Sequence, residues 1–294
     1  MIGERKLTKW VVIILFLLPS LLGLILFNLL PISISAYISL TDWDLITKAH
    51  FIGFKNYLDV FRDEYSIQAI GNTYKFIAGY LPLTLCSSLF LAVLLNRKIR
   101  FMKFYRAAVF VPVITSWVAV SMIWRWLLNG QSGLINYLLS LLQIQGPVWL
   151  QDFFWSMPAI IMVSVWKDIG FISIILLAGL QEVPEDYYES AEIDGASSLQ
   201  QFFKISLPLL TPALFFVVII SLINSFQLFD QVIVMTNGGP AGSTSSIVLE
   251  IFNNAFKSNR MGFASAQSWV LFIMIFIVTI IQNQIQKRWV IYDR

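Results

Sequence analysis

Charged and reactive side chains are scarce in this chain. Of its 294 residues, 13% are Asp, Glu, Lys or Arg and 57% are hydrophobic, whereas soluble domains carry about 25% charge. The single cysteine, Cys86, excludes a disulfide framework and a cysteine-ligated metal site. The single histidine, His50, removes most histidine-based catalysis and zinc binding. The composition therefore argues against a soluble enzyme and predicts neither a catalytic nor a metal site.

Long apolar runs are what the chain has instead, with a mean hydropathy of +0.74. A helix needs about 20 mainly apolar residues to cross a bilayer. We therefore predict an all-α, polytopic membrane protein of six transmembrane helices, at about Trp10–Ile38, Thr73–Leu95, Ala107–Leu128, Ser156–Leu180, Leu207–Leu228 and Ala266–Ile285. The first run is too long for a signal peptide and no small-residue cleavage site follows it, so we expect a retained helix. No repeat or linker divides the chain, which predicts one membrane domain over residues 1–294.

Basic residues predict the orientation, because they collect on the cytoplasmic side of a membrane protein. The richer side holds Arg5, Lys6, Lys9, Arg97, Lys98, Arg100, Lys103, Arg106, Lys204, Lys287, Arg288 and Arg294. The other side holds Lys48, Lys55, Arg62, Lys257 and Arg260. We therefore expect both termini in the cytoplasm.

The second connection on the basic side, Gln181–Ser206, is called the acidic loop below. Against one lysine it collects Glu182, Glu185, Asp186, Glu189, Glu192 and Asp194. Pro184 can begin a helix there, and Gly195 can end it in a left-handed turn. A helical wheel puts Glu185, Glu189 and Glu192 on one stripe, and puts Tyr187, Tyr188 and Ala191 on another face. Such a helix is either a solvated surface helix or a docking element.

The residues of this loop carry a family resemblance. Glu-Ser-Ala-Glu-Ile-Asp-Gly-Ala at 189–196, followed by Leu207-Pro208, resembles the "EAA" loop of permease subunits in binding-protein-dependent ABC importers. The loop departs from the family pattern at Ser190, where the family has alanine. In that family the loop is the coupling helix that docks into a groove of the ATPase. The resemblance implies ATPase docking by Tyr187, Tyr188, Glu189, Ala191, Glu192, Asp194 and Gly195.

Two further segments narrow the resemblance. Trp166-Lys167 with Leu177–Gln181, and Phe229-Asp230 with Thr236–Pro240, resemble carbohydrate-importer permeases of the maltose type, specifically the first member of the permease pair. The resemblance covers most of the chain. It implies a bacterial or archaeal cytoplasmic-membrane protein that works with a second permease, two ATPase subunits and an external sugar-binding protein.

The absence of one nucleotide-binding motif indicates that the energy for transport comes from another polypeptide. The sequence contains no G-x-x-x-x-G-K-[ST] phosphate loop, so ATP cannot bind to this chain in that way. We therefore expect no cofactor of its own, with ATP and Mg²⁺ held by the partner ATPase.

Polar residues inside the predicted spans are candidates for a substrate path. The candidates are Trp166, Lys167, Asp168, Asn224, Gln227 and Gln231. Lys167 and Asp168 could instead each form a buried structural ion pair with a neighbouring helix or subunit, and the amides could serve only to join helices. Trp117, Trp124 and Trp126 fit interface belts or helix packing.

The turn Gly238-Gly239-Pro240 is predicted at the outer mouth, either as a contact with the binding protein or as a plain loop. Two other functions stay open from the sequence. An ion-coupled secondary sugar transporter would usually show repeated halves and helices broken at mid-depth. An intramembrane enzyme would need a clustered catalytic set, and only Lys167 and Asp168 come near one.

Overall fold

The computed structural model describes residues 2–97 and 100–289, and it describes side chains over 12–97 and 100–287. Lys98 and Arg294 lie outside the described residues, as do the side chains of Arg5, Lys6, Lys9 and Arg288. Within the described ranges the chain forms helices and no β-strand, with one isolated bridge between Thr41 and Phe51. The helices are α1 Ile2–Leu24, α2 Leu30–Ile38, α3 Lys55–Val60, α4 Glu64–Leu95, α5 Met102–Ile114, α6 Trp117–Leu127, α7 Leu134–Leu141, α8 Ser156–Gln181, α9 Glu185–Ile193, α10 Ser198–Gln201, α11 Leu207–Leu209, α12 Thr211–Phe226, α13 Asp230–Met235, α14 Ile247–Phe252 and α15 Met261–Trp289.

Among the residues that the structure describes, four stretches are long and apolar enough to cross a membrane: Val12–Ile38, Glu64–Leu95, Ser156–Gln181 and Met261–Lys287. A π-helical turn at Ile25–Leu29 joins α1 to α2. The second stretch starts before the predicted Thr73, because Asp63 caps α4 by accepting a hydrogen bond from the Ser66 backbone N–H and a polar first turn precedes the apolar run. The predicted all-α membrane fold is confirmed.

The third and fifth predicted spans are bent pairs of helices. Helices α5 and α6 meet at 97°, and the Ser198–Leu209 and Thr211–Phe226 segments meet at 65°. Thr115 and Ser116 between α5 and α6 are extended. Pro112, which lacks a backbone N–H, precedes the first bend, and Pro212 follows the second. Counting each bent pair as one span gives six spans among the described residues.

The chain divides into two compact units, each discontinuous in sequence. Unit 1 comprises residues 1–62 and 251–270, and unit 2 comprises 63–250 and 271–294. Since the chain leaves and re-enters each unit, no linker marks a boundary that the sequence could reveal. In unit 1, the buried Asn56 Nδ2 donates to the carbonyls of Ser39 (2.9 Å) and Thr41 (2.7 Å), which holds the end of α2 against α3.

Helix α8 is the central helix of unit 2 and packs against α4, α5, α12 and α13. One apolar cluster centres on Phe76, Ile160 and Val232, and a second on Leu176 and Leu210. Helices α5 and α8 approach closely at Gly170, where a Cβ atom would overlap the Val109 carbonyl oxygen. Small residues allow such approaches between membrane helices. The core of unit 2 therefore depends on α8 contacting four helices at once.

Candidate functional site

A polar cavity of about 270 Å³ lies in unit 2 among α4, α6, α8, α12 and α13. Four of the six predicted path residues line it: Asp168, Asn224, Gln227 and Gln231. The other lining residues are Phe76, Tyr80, Trp117, Ser164, Ser225 and Asp230. The structure thus brings together side chains from five helices into one site of carboxylates, amides, hydroxyls and aromatic rings.

The inner wall of the cavity is held by hydrogen bonds between helices. The Tyr80 hydroxyl of α4 donates to Asp168 Oδ2 of α8 over 2.7 Å. Gln231 Nε2 lies 3.5 Å from Ser164 Oγ, at the long limit of a hydrogen bond. These contacts orient Asp168 and Gln231 toward the cavity.

The open wall of the cavity carries Asn224 and Gln227, which are both exposed in this chain. Neither side-chain amide forms a hydrogen bond with another described residue. Each amide offers two donors and one acceptor oxygen, so these two side chains can bind a polar ligand without giving up an internal bond.

The three candidate amides Asn224, Gln227 and Gln231 do not lie on one continuous helix. Helix α12 ends at Phe226, and α13 begins at Asp230. Phe229 between them has φ −145° and ψ −63°, outside helical geometry. The break turns Gln231 inward, where it is buried, while Gln227 stays exposed. It also adds Asp230 to the cavity, which the sequence placed only within a family motif.

Lys167 and Trp166 do not line the cavity. Lys167 Nζ donates to the Val113 carbonyl at the end of α5 (3.2 Å) and lies 4.7 Å from the centre of the Trp117 ring. Trp166 packs edge-on against Trp124, with ring centroids 5.3 Å apart. The Lys167 ammonium therefore satisfies a carbonyl that the α5 bend leaves without a helical partner. Its partner is backbone, neither the Asp168 carboxylate nor the cavity.

Trp117 is the aromatic wall that the sequence analysis missed. It fitted an interface belt by sequence, but it begins α6 directly after the bend and lines the cavity. Lys167 lies on its ring. No local signal in the sequence could have found it, because the helix continues through Pro112 to Ile114 and breaks only after that residue.

The acidic loop contains the predicted short helix, α9. Pro184 caps its start in an extended conformation, and Gly195 follows its end with φ +76°. Two hydrogen bonds close the end: the Gly195 N–H donates to the Glu192 carbonyl (3.0 Å), and the Ala196 N–H donates to the Ala191 carbonyl (2.8 Å). This is the Schellman pattern, in which a left-handed residue satisfies the last carbonyls. A capping box between Ser197 and Gln200 then starts α10.

The predicted docking residues of this loop differ in exposure. Glu189, Glu192, Asp194 and Gly195 are exposed, Tyr187 is 46% exposed, and Ala191 is half-buried. Tyr188 turns inward, and its hydroxyl lies 2.8 Å from Ser206 Oγ. Three apolar side chains that the sequence analysis did not select are strongly exposed: Ile193, Leu199 and Phe203.

The Gly238-Gly239-Pro240 turn is packed into unit 2. Gly238 is buried with φ +85°, and a Cβ there would lie 3.0 Å from Leu249. Thr244 donates to the Gly239 carbonyl over 2.8 Å. Asn72 Nδ2 of α4 donates to the Gly242 carbonyl over 2.7 Å. The segment that directly follows the turn therefore anchors the chain to α4, while contact of the turn with a binding protein stays a prediction.

A chain of apolar helices that enclose a polar cavity has the architecture of a membrane transport subunit. Residues 84–291 match the family described as the binding-protein-dependent transport system inner membrane component, and the chain belongs to that family. The family prediction is confirmed: the chain is a multi-pass inner-membrane component and a translocation subunit, not an enzyme.

Relatives match this chain over nearly its whole length. A probable ABC transporter permease of Bacillus subtilis, YesP, is 35% identical over 95% of this chain and 91% of its own length. The trehalose/maltose transport system permease MalF of Thermococcus litoralis is 34% identical over 93% of this chain and 92% of its own. A bacterial ABC transporter involved in the import of the acidic polysaccharide alginate shares the fold, with a TM-score of 0.86 and 23% identity over 98% of this chain and 99% of that one.

Proposed function

We propose that this chain is the permease half of an ATP-driven importer and forms part of the path of a sugar or oligosaccharide. The polar cavity carries the proposal. Amides and carboxylates can bind sugar hydroxyls, and the half-buried Trp117 ring can pack on sugar C–H surfaces. The names of relatives that transport sugars support the same substrate class.

The volume of the cavity limits what it can hold. At about 270 Å³ it lies just below the range of about 300–1,000 Å³ that small-molecule sites occupy. We infer that this chain contacts one or two sugar units and that a second permease subunit, a separate chain, completes the wall on the side of Asn224 and Gln227. An oligosaccharide would then bind between the two permeases.

Energy reaches the cavity through the acidic loop. We propose that Tyr187, Glu189, Ala191, Glu192, Asp194 and Gly195 form the docking surface for one of two ATPase subunits, which hold ATP and Mg²⁺, while Tyr188 supports the helix from its inner side through Ser206. An acidic helix on a rigid Schellman turn suits a basic partner groove. Pro184 and Gly195 fix the two ends of the helix, so a movement of the ATPase would be transmitted as a rigid-body displacement rather than absorbed by the loop.

In this proposal the acidic loop and both chain termini lie on the cytoplasmic side of the membrane. On the other side an external binding protein delivers the sugar, and the Gly238–Pro240 turn contributes to that contact. ATP-driven approach of the ATPases exposes the cavity outward, and release of their hydrolysis products returns it inward.

The Asn224→Ala and Gln227→Ala variants test the substrate assignment. Each removes an amide that has no internal partner, so folding is preserved while sugar contacts are lost. We expect each to raise the half-saturating sugar concentration for uptake about five- to tenfold, the equivalent of one hydrogen bond of about 1 kcal/mol. Basal ATP hydrolysis by the assembled complex should stay unchanged.

The matched control is Gln284→Ala, an exposed amide near the end of α15 that lies outside the cavity. Uptake with this variant should equal that of the wild type. Unchanged uptake kinetics in both cavity variants would reject the cavity as the sugar path.

A further inference from the structure

A second, basic cleft of about 670 Å³ lies where α4 and α8 end, next to the start of α9. Its polar lining includes Arg97, Lys103, Arg106, Gln181, Glu185 and Tyr188. The cleft is therefore lined by three cations and one carboxylate. The polar cavity described above is lined by two carboxylates and no cation. The two sites require ligands of different charge.

The three cations have no carboxylate partner within the part of the chain that the structure describes. The side chains of Arg97 and Lys103 are exposed and form no hydrogen bond there. Arg106 donates from Nη2 to the Leu95 carbonyl over 3.1 Å, while its buried Nε has no partner among the described residues. Donors left without acceptors favour an anionic ligand that accepts several hydrogen bonds, and a phosphate group does this.

Aromatic side chains next to the cleft residues in sequence indicate which class of phosphate compound binds in the cleft. Phe101 is 68% exposed and Phe104 is 69% exposed, and Tyr105 is also exposed. The cleft lies at the end of two apolar spans, so in a bilayer we expect these rings at the level of the lipid headgroups, where aromatic side chains anchor membrane proteins. The negatively charged group of a ligand in the cleft would therefore contact the three cations, and its apolar part would extend into the bilayer.

We propose that the basic cleft binds the phosphodiester headgroup of an anionic phospholipid. Arg97 and Arg106 can each donate two parallel hydrogen bonds to phosphate oxygens, and Lys103 adds a point charge. The proposal does not depend on which sugar is transported. The competing occupant is an acidic surface of the ATPase, but the exposed surface of α9 beside the cleft is itself acidic and suits a basic partner surface. The cleft is opposite in charge and borders the bilayer, which fits a lipid.

The test uses the full chain, purified with its copurifying subunits and reconstituted in bilayer discs that contain equal amounts of phosphatidylglycerol and phosphatidylcholine. After transfer to detergent, native mass spectrometry measures the lipids retained. We expect retention of phosphatidylglycerol over phosphatidylcholine. A basic residue at an anionic membrane surface contributes about 1 kcal/mol, so the Arg97→Gln/Lys103→Gln double variant should lower this preference about 30-fold.

Two control variants separate charge from folding. Lys48→Gln/Lys55→Gln removes two exposed cations elsewhere on the chain and should retain phosphatidylglycerol like the wild type. Arg97→Lys/Lys103→Arg keeps both charges and should retain most of the preference. Equal retention in the glutamine variant and the Lys48/Lys55 control would overturn the proposal.

Two further outcomes also overturn it. Inorganic phosphate at millimolar concentration, added during the transfer, should not displace the retained lipid, and complete displacement would identify the cleft as a site for free phosphate. If the glutamine variant loses the ATPase subunit while its lipid preference stays intact, the cleft belongs to the ATPase interface instead.

Discussion

The packing of α5 on α8 predicts that Gly170→Ala destabilises the protein. A Cβ at this position would overlap the backbone carbonyl oxygen of Val109, which no side-chain rotation can relieve. The helices must separate, and overpacking of this kind costs about 1–3 kcal/mol. Separation would also stretch the 3.2 Å hydrogen bond from Lys167 to Val113, which lies near this crossing. The change therefore affects both the core and the bend that places Trp117.

Gly71→Ala is the matched control. Gly71 lies within α4, and a Cβ there would meet no atom within 4 Å. Alanine in an unobstructed helical position stabilises by about 0.5–1 kcal/mol relative to glycine, so the two substitutions should have opposite signs. Reversible unfolding in mixtures of dodecyl maltoside and dodecyl sulfate measures both free energies. Equal or higher stability of Gly170→Ala would refute the close approach of α5 and α8.

Two other predictions concern single contacts. Lys167→Met removes a charged hydrogen bond to the Val113 carbonyl and should lower the free energy of unfolding by about 1–3 kcal/mol. Lys167→Arg should keep most of this stabilisation. Equal stability of the Met variant and the wild type would show that the Lys167 hydrogen bond does not stabilise the fold. In the exposed loop of unit 1, a hydrogen bond from the His50 backbone N–H to Asp42 lowers the pKa of Asp42 below its usual 3.8. A lowered pKa means that the carboxylate stabilises the loop above its ordinary pKa and loses this effect as pH falls through the lowered value. Hydrogen exchange at the His50 amide, corrected for its intrinsic rate, should therefore lose protection only below about pH 4, and Asp42→Asn should abolish this pH dependence; protection that stays constant to pH 2 in the wild type would contradict the contact.

Local signals in the sequence predicted the features that depend on neighbouring residues. Apolar runs indicated the spans, because crossing a bilayer requires them. Pro184 and Gly195 bounded α9, since proline at a helix start and glycine after its end act within one turn. These features depend little on tertiary structure.

Features that depend on distant residues could not be predicted in the same way. Hydropathy continues across Thr115 and Ser116, so it did not show that α5 and α6 are separate helices. The partner of Lys167 depends on the rotation of α8 against α5, which no periodicity specifies. Tyr80 joins the cavity from α4, far away in sequence, and only the packing of α4 on α8 brings it to Asp168.

The most direct test of the proposed function is sugar-stimulated ATP hydrolysis by the assembled transporter with its binding protein in proteoliposomes. Glu189→Lys reverses a charge on the exposed stripe of α9, and Glu64→Lys reverses an exposed charge at the start of α4 as the control. We predict that Glu189→Lys abolishes the stimulation and that Glu64→Lys leaves it at the wild-type level. Full stimulation with Glu189→Lys, or sugar uptake driven by an ion gradient without ATP, would contradict the proposal.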